Sequence, residues 1–565
     1  MNSYWDRYTA ARISRRTLLR SGAIASAAGG AIAIAGCGSS KHQAPVATTR
    51  AGSASNQPDV LNVAGPPRRG GTFTTANSAN FGTFDPHLGI QVASAYFPRV
   101  YNVLLNQSAT KPEFMFMDLA QSFEIPDETT YVFKIRPGVK IAPNGLGVPE
   151  RDLDAEDVKV TLERIANEPA SNNYGFAKQY IASIVASGDS LTIKTTGPYA
   201  WFLNRIGLFF NCIAPRELLT GDLSRLTTHA AGAGPYRLMS VSEGEVAQFE
   251  RNPNYYRTDA ANGGAPLPYV DKLEVRVIFD RATQRTAFQS GQIQLYWTAS
   301  GDEARSLGDS AVISRDPSFG YVSLTMNPKK KPFDDPRVRR AISRAINRKE
   351  YVDIVYHGDA RPNGLVHWPL GSYAFSDDEL DSTYQPFSVA DARDLVQQVG
   401  GIKIKMMYPA GTSIEEHSVH LAIFLEQMKA ANIDVDQDPQ DFGTWVSNYH
   451  DLNYDCSLAL NQTYETPELP LGFHSTGGPF GDRTYIQGRG DADIDSAIST
   501  ANQTLAYDAR LEAVHAAQRV IYEKDPMFLP IVSPYLDLAY SPRVKNIPAG
   551  VGTTAYFLNS YWLDS

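Results

Sequence analysis

Cysteine is scarce: the chain of 565 residues has three, Cys37, Cys212 and Cys456. Cys212 and Cys456 fall in separate predicted folding units and read as two buried free thiols rather than a disulfide. Long runs of one charge sign are missing as well, and the formal net charge is −9. An acidic chain without a basic patch disfavours a nucleic-acid role. There is no Walker A string and no G-x-G-x-x-G after a strand, so any ATPase must be another chain. H-E-x-x-H is absent. His417 and His420 lie three apart beside Glu415 and Glu416, a spacing a metal site can use, but without a clear third ligand they read as a polar helix start. Gly188-Asp189-Ser190-Leu191 spells a serine-hydrolase string, yet it sits in a polar turn before Leu191-Thr192-Ile193 and reads as a tight turn. Arg489-Gly490-Asp491 reads the same way. Apolar residues are plentiful at 43%, enough for a large core and more than one folding unit. The 43 Gly and 35 Pro are spread through the chain and fit many loops rather than a helical bundle.

The N-terminal segment has its own pattern. Arg7, Arg12, Arg15, Arg16 and Arg20 form a basic region, followed by an Ala/Gly/Ile-rich stretch from Ala23 to Ala35 that is too short and too weakly apolar to span a membrane. Ser14-Arg15-Arg16-Thr17-Leu18-Leu19 resembles a twin-arginine export motif, although a general secretory signal also carries paired arginines. Ile34-Ala35-Gly36-Cys37 resembles a lipobox, which implies lipidation at Cys37. Residues 1–37 are therefore expected to be a signal peptide and lipobox, and Gly/Ser/Ala-rich residues 38–69 a flexible tether. Loss of residues 1–36 removes five Arg and one Asp and takes the charge from −9 to −13. A lipidated Cys37 would hold the protein on the outer face of the cell membrane.

Beyond residue 69, Gly232-Ala233-Gly234-Pro235-Tyr236 opens a predicted hairpin. It turns at Ser242-Glu243-Gly244-Glu245 and stops at Asn252-Pro253-Asn254, with Tyr255 and Tyr256 following. As a string, this stretch resembles the G-T-G-P-Y…E-R-N-P-x-Y-Y segment of family 5, the peptide/nickel-type solute-binding proteins of ABC importers. Other strings agree. Ala79 to His87 (A-N-F-G-T-F-D-P-H) is similar to a family loop that borders the ligand cavity. Arg136-Pro137-Gly138-Val139-Lys140 follows a predicted hairpin with its turn at Pro126-Asp127-Glu128 and with Tyr131, Phe133 and Ile135 on one face. Asp154-Ala155-Glu156-Asp157 is a capping-box-like helix start. Gly291-Gln292-Ile293 matches a family turn, with Gln294 in place of the usual acid. Phe333-Asp334-Asp335-Pro336 leads a helix with a Val338/Ile342/Ala345/Ile346 stripe. Later segments alternate helix and strand, which implies an α/β sheet.

The resemblance covers nearly all of residues 70–565. It implies an α/β, type II periplasmic-binding-protein-like fold: two lobes joined by a two-strand hinge, with a small inserted subdomain in lobe one. Expected boundaries are 70–100 and 231–320 for lobe one, 101–230 for the insert, 321–525 for lobe two, and 526–565 for a return to lobe one, with Pro530-Ile531-Val532 as the returning strand. It also implies an extracytoplasmic binding protein without catalysis or cofactor. The expected form is a monomer, partnered by permease and ATPase subunits on other chains, that captures peptides and closes around them.

By the resemblance, Asn80, Phe81, Tyr174, Phe176, Phe442, Trp445, Tyr449, Gln462, Thr463, Tyr464 and Glu465 border the ligand. Aromatics suit a pocket that tolerates varied apolar side chains. His367 and His474 fall near expected cavity loops. One departure bears on cargo. Peptide binders of this type hold the ligand ammonium with an aspartate in an A-D-Y-x-x-P loop, and here that position is Thr463. Glu465 is the first replacement and Glu468 the second. A non-peptide cargo (a metal chelate, an opine-like compound or a glycoside) therefore stays open, as do an exported hydrolase and a ligand sensor.

Overall fold

The computed structural model describes residues 50–51, 65–89, 93–107, 114–298, 300–317, 320–409, 415–462, 466–476, 490–524, 526–547 and 560–564. Strand β1 is Thr72–Asn77. The chain then builds a separate four-stranded antiparallel sheet from β2 (Ala120–Asp127), β3 (Thr130–Ile135), β4 (Ile181–Ser187) and β5 (Ser190–Thr195), in the order β2-β3-β5-β4. Tyr131, Phe133 and Ile135 are buried as their alternation requires. The β2–β3 turn lies later than its Pro126-Asp127-Glu128 expectation. The Asp127 carboxylate accepts from the Thr129 backbone N–H at 2.9 Å and from its hydroxyl at 2.9 Å, which fixes the turn at 128–129. Helix α1 (Ala155–Asn167) starts at the anticipated capping box of Asp154 and Asp157. Helix α2 (Tyr174–Tyr180) and the short α3 (Phe202–Ile206) complete this insert.

The hairpin β6 (Tyr236–Ser242) and β7 (Val246–Arg251) forms at the glycine-rich stretch. The physical reason for its string is close approach. A Cβ on Gly232 would lie 2.2 Å from the Val100 carbonyl oxygen, and one on Gly234 would lie 2.6 Å from the Val100 carbonyl carbon, so only glycine fits at either position. Buried Asn252 then locks the turn by donating from its side chain to the Gly234 carbonyl at 2.8 Å. Strands β8 (Lys272–Val277), β9 (Leu295–Trp297) and β10 (Val312–Pro317) follow. Gln294 does two jobs, and an ionised acid could do only the first: its side chain accepts from Thr74 N–H at 2.6 Å and donates to the Gly291 carbonyl at 3.1 Å.

Strand β11 (Gly320–Met326) starts the second lobe. Helix α4 (Pro336–Ala345) is capped by Asp335 with Pro336 in its first turn. Then come β12 (Ala360–Pro362), β13 (Ile402–Pro409), β14 (Ile433–Gln440), helix α5 (Phe442–His450), β15 (Cys456–Gln462), helices α6 (Glu468–Gly472) and α7 (Ala492–Gln503), and the 13-residue strand β16 (Phe528–Tyr540). The main sheet runs β14-β13-β15-β11-β16-β9-β1-β8-β7-β6, with β10 and β12 also on β16.

Strand β16 spans both lobes. Its start pairs with β11 (Val322↔Val532, Thr325↔Phe528) and with β12, whereas its end pairs with β10 (Pro317↔Tyr535, Val312↔Tyr540) and β9. Pro530-Ile531-Val532 thus still belongs to the lobe-two sheet, and the crossing into lobe one comes at 533–535. The second crossing is the β10–β11 connection, 317–320. These two crossings are the hinge. Cys212 and Cys456 are buried free thiols, as the sequence led us to expect. Burial pushes the Cys456 thiol pKa well above its ordinary value. His420 departs from its reading as part of a polar helix start: it is fully buried against the rings of Tyr351 and Tyr356.

Candidate functional site

Strand direction locates the site. In lobe one β1 runs parallel to β8 and β9, so Asn77, Val277 and Trp297 all end on one side. β9 is antiparallel to β16, with Trp297 opposite Leu538 and Leu295 opposite Tyr540. Since β16 enters lobe one at 533–535, these carboxyl ends point toward the hinge. In lobe two β13 is parallel to β14 and β15, ending at Pro409, Gln440 and Gln462. Gln462 pairs with Gly320 at the hinge end of β11, so this second set also points toward the hinge. Two sets of parallel-strand carboxyl ends therefore flank one crossing, the position at which open α/β sheets bind ligands.

The expected ligand residues distribute around this crevice unevenly. Asn80 follows β1 and is exposed. Phe81 follows it too, but its ring is buried against Phe84 and Tyr96. Phe442 begins α5, just after β14. Tyr449, on the same helix, is buried, its hydroxyl 2.9 Å from the Thr325 hydroxyl and its ring 5.1 Å from Trp445. The Trp445 indole donates to Ser457 at 3.1 Å. Gln462 ends β15. Thr463, Tyr464 and Glu465 lie outside the described residues, as do Arg15, Arg16 and Cys37. Tyr174 opens α2, half-buried, beside the loop after β1, where Asn172 N–H donates to the His87 carbonyl at 3.0 Å. Phe176 packs into the insert against Tyr180, Tyr199 and Phe202.

Buried charges settle several other roles. The Asp85 carboxylate receives two bonds from Arg164, at 2.9 and 2.7 Å. Burial raises its pKa, and the Arg164 bonds outweigh that and hold it below the ordinary value. The His87 ring donates from Nε2 to the Cys212 carbonyl at 3.0 Å. Burial, then Arg164, brings its pKa down to about 4. The D-P-H string is therefore a structural lock between the loop after β1 and α1. Glu468 is also committed: it is buried, ion-paired to Arg205, and 2.5 Å from the Tyr199 hydroxyl. It does not serve as the spare ammonium anchor. His367 is fully buried against Tyr321, 4.2 Å between ring centroids. Neither of its ring nitrogens meets a hydrogen-bond partner among the described residues, and burial holds its pKa near about 3. The described residues contain no cluster of three or more metal-ligating side chains. The G-D-S-L serine opens β5 after a turn in which Gly188 has φ +61, and Asp189 is tied to exposed Lys134 at 2.7 Å.

Two residues at the crevice escaped sequence reasoning. Phe279, just past β8, and Trp297, the last residue of β9, are 62% and 45% exposed. Arg281 links their loops by donating to the Trp297 carbonyl at 3.3 Å. Their signal was available in principle, as large aromatics at the predicted ends of strands, but strand order was needed to show that those ends converge.

A family model for bacterial extracellular solute-binding proteins, family 5 Middle, matches residues 115–480. The chain belongs to this family. Among its relatives is the glutathione-binding protein GsiB of Pectobacterium atrosepticum, 27% identical over 308 residues, which cover 54% of this chain and 55% of that protein. The chain thus matches little more than half of that relative's length. Among solved structures, the periplasmic binding protein DppA from Helicobacter pylori, in complex with the peptide STSA, superposes with a TM-score of 0.72 at 22% identity, over 88% of this chain and 99% of that one. AgaA of A. tumefaciens, in complex with agropinic acid, gives a TM-score of 0.72 at 19% identity, over 88% and 99%. These likenesses show the fold: two lobes of the type II periplasmic-binding class on a two-strand hinge. Family 5 proteins bind solutes and are not enzymes, and the hydrolase reading of G-D-S-L falls with that. No helix among the described residues is long and apolar enough to cross a membrane.

Proposed function

We propose that this family 5 protein captures peptides outside the cytoplasmic membrane and hands them to an ABC permease, held to the membrane through a lipid on Cys37. The observation that carries the reading is the pair of converging carboxyl-end rims on either side of a two-strand hinge. Such a crevice takes an extended ligand between backbone groups of both lobes, which accept any side-chain sequence, and ligand contact with both rims favours the closed form. The peptide complex of DppA and the glutathione-binding relatives support this cargo class. The ordered basic region, apolar stretch and lipobox support export and anchoring.

With Glu468 committed to Arg205, Glu465 is the remaining carboxylate of the A-D-Y-x-x-P-like loop. We assign it the ligand ammonium, a charge that needs a charge-assisted partner when enclosed. The test is calorimetry on protein stripped of endogenous ligand, with a library of short peptides and their N-acetylated forms. We expect free-amino peptides to bind and Glu465→Gln to weaken them by orders of magnitude, while acetylated peptides change little. Binding by wild type with no loss in Glu465→Gln removes the anchor assignment alone. If no peptide binds, the cargo is non-peptide. That second reading has its own support in Thr463 at the usual aspartate position and in the agropinic acid complex of AgaA.

A further inference from the structure

The insert and lobe two share a buried apolar cluster that brings Tyr131, Phe202 and Leu203 together with Tyr373, Leu471 and Ile498, and a compact set of polar side chains joins the two parts within it. The segment that leads into and forms α3 supplies Tyr199, Ala200, Trp201 and Arg205, and lobe two answers with Glu468 on α6 and Asn502 on α7. Arg205 is ion-paired to one Glu468 oxygen through Nε, and the Tyr199 hydroxyl donates to the other at 2.5 Å. Next to them, Ala200 N–H donates to the Asn502 carbonyl at 2.7 Å, and the Trp201 indole N–H donates to the Asn502 side-chain oxygen at 2.9 Å. Both ends are stiffly backed. Tyr199 stacks on Tyr180 at 3.8 Å, and its carbonyl accepts from the Tyr131 hydroxyl at 3.3 Å. Trp201 lies edge-on to Tyr373 at 5.5 Å, with the Arg510 guanidinium 5.1 Å from its ring centre. Arg205 and Glu468 side chains are 9% and 3% exposed.

We propose that Arg205, Tyr199 and Glu468 form a clasp between the insert and lobe two that the cleft must bury in order to close, with or without cargo, so that loss of either charge alone shifts the open–closed equilibrium toward the open form. The insert belongs to lobe one by chain, whereas Glu468 lies beyond the hinge strand β11, six residues after β15. Swinging the lobes apart between β10 and β11 and at 533–535 must therefore separate guanidinium from carboxylate. Opening returns both ions to water, and the intact pair consequently adds little net bias toward closure. Removing one partner changes this sharply, because the closed form then buries the other charge without its mate. Replacing both with apolar side chains of similar size removes the burden and restores closure. The clasp also ties the 466–474 segment to the insert, which makes it a positioning device.

The test reads distances in the ligand-free, full-length chain by double electron–electron resonance, and so stands apart from the cargo reading. Labels go on Glu128→Cys in the insert and Lys403→Cys in lobe two, both exposed positions, in a Cys37→Ala background; Cys212 and Cys456 are buried. Glu468→Gln and Arg205→Met, made singly, should lower the closed-to-open ratio by about a hundredfold, the low end for breaking a buried pair. The Arg205→Met/Glu468→Met double variant should return most of it. Single variants that keep the parent distance distribution overturn the proposal, as does a double variant as open as the singles. Circular dichroism of each variant identifies one that merely fails to fold, and Tyr199→Phe, which removes one hydroxyl, then gives a milder opening or overturns the proposal in its place. Absence of peptide binding would leave these distances untouched and would count against the cargo reading only.

Discussion

Two of the junctions between the lobes are built differently. The hinge is made of backbone: β16 passes through both sheets, pairing with β10 on one side of the crossing and with β11 on the other, and ladder hydrogen bonds continue on both sides. Its main side-chain support, Arg315, binds Asp537 of β16 at 2.7 and 2.6 Å and Asp359 at 2.6 Å. The clasp is almost entirely side chain, joining residues 263 positions apart. A backbone junction has a strand pattern that a sequence displays. A side-chain junction has only an ordinary-looking Arg and Glu, and geometry alone pairs them. The difference also predicts mechanics: the hinge should fail by unfolding and the clasp by opening.

The largest effect should come from breaking the hinge support. The Asp537 side chain is 2% exposed and Arg315 is 27% exposed. Asp537→Ala leaves the guanidinium with Asp359 as its carboxylate and the Tyr535 ring beside it. We expect a loss near the low end of the roughly 3–5 kcal/mol typical of a broken buried pair, since Arg315 keeps some solvent. Urea denaturation of the two proteins measures it. A difference under about 1 kcal/mol, within the range of exposed pairs, would mean that the ladder alone holds the crossing.

The fold was legible where local physics repeats itself. The G-A-G-P-Y hairpin needs glycine because Val100 leaves no room for a Cβ. The Asp154 and Asp335 caps, and the alternation through Tyr131, Phe133 and Ile135, read directly as the elements they form. Less legible were roles that depend on what lies across the fold. Phe81 and Phe176 look like pocket aromatics in a string and are buried among other rings. Glu468 sits three residues from Glu465, and only the structure shows Arg205 claiming it. His420 looked polar by its neighbours, yet faces two tyrosines from a buried position. Phe279 and Trp297 were missed because convergence of strand ends is a property of sheet order.

A smaller, pH-dependent effect separates the hinge neighbourhood from the clasp. His367 packs on Tyr321, the second residue of β11, and burial lowers its pKa from 6.5 to about 3. The folded state therefore keeps the ring neutral while the unfolded chain takes up a proton across that window. Stability is complete above pH 6.5 and falls as the pH drops toward 3, by about 1.4 kcal/mol per pH unit. His87, lowered to about 4, adds its own slope in the same direction. His367→Phe keeps a ring against Tyr321 and removes one titration. Its stability should depend less on pH between 6 and 4 by about that amount, measured by denaturation at each pH. An unchanged slope would show that His367 protonates freely in the folded protein.

The cargo itself makes a third junction, present only when bound, and its lobe-one side should include Phe279 and Trp297. Both rings are exposed at the carboxyl ends of β8 and β9, and neither belongs to a buried cluster of lobe one. Truncating them should leave stability within about 0.5 kcal/mol of the parent, as surface changes usually do. Each ring that stacks on cargo should add about 1 kcal/mol to affinity, an order typical of aromatic contacts beyond simple burial. Phe279→Ala and Trp297→Ala are therefore expected to weaken the best ligand by about fivefold each, with peptides bearing aromatic side chains losing more than alanine peptides. Calorimetry and melting curves on the same samples give both numbers. The opposite pattern, a lowered melting temperature with unchanged affinity, would make these rings part of lobe one's packing and place the cargo elsewhere along the two rims.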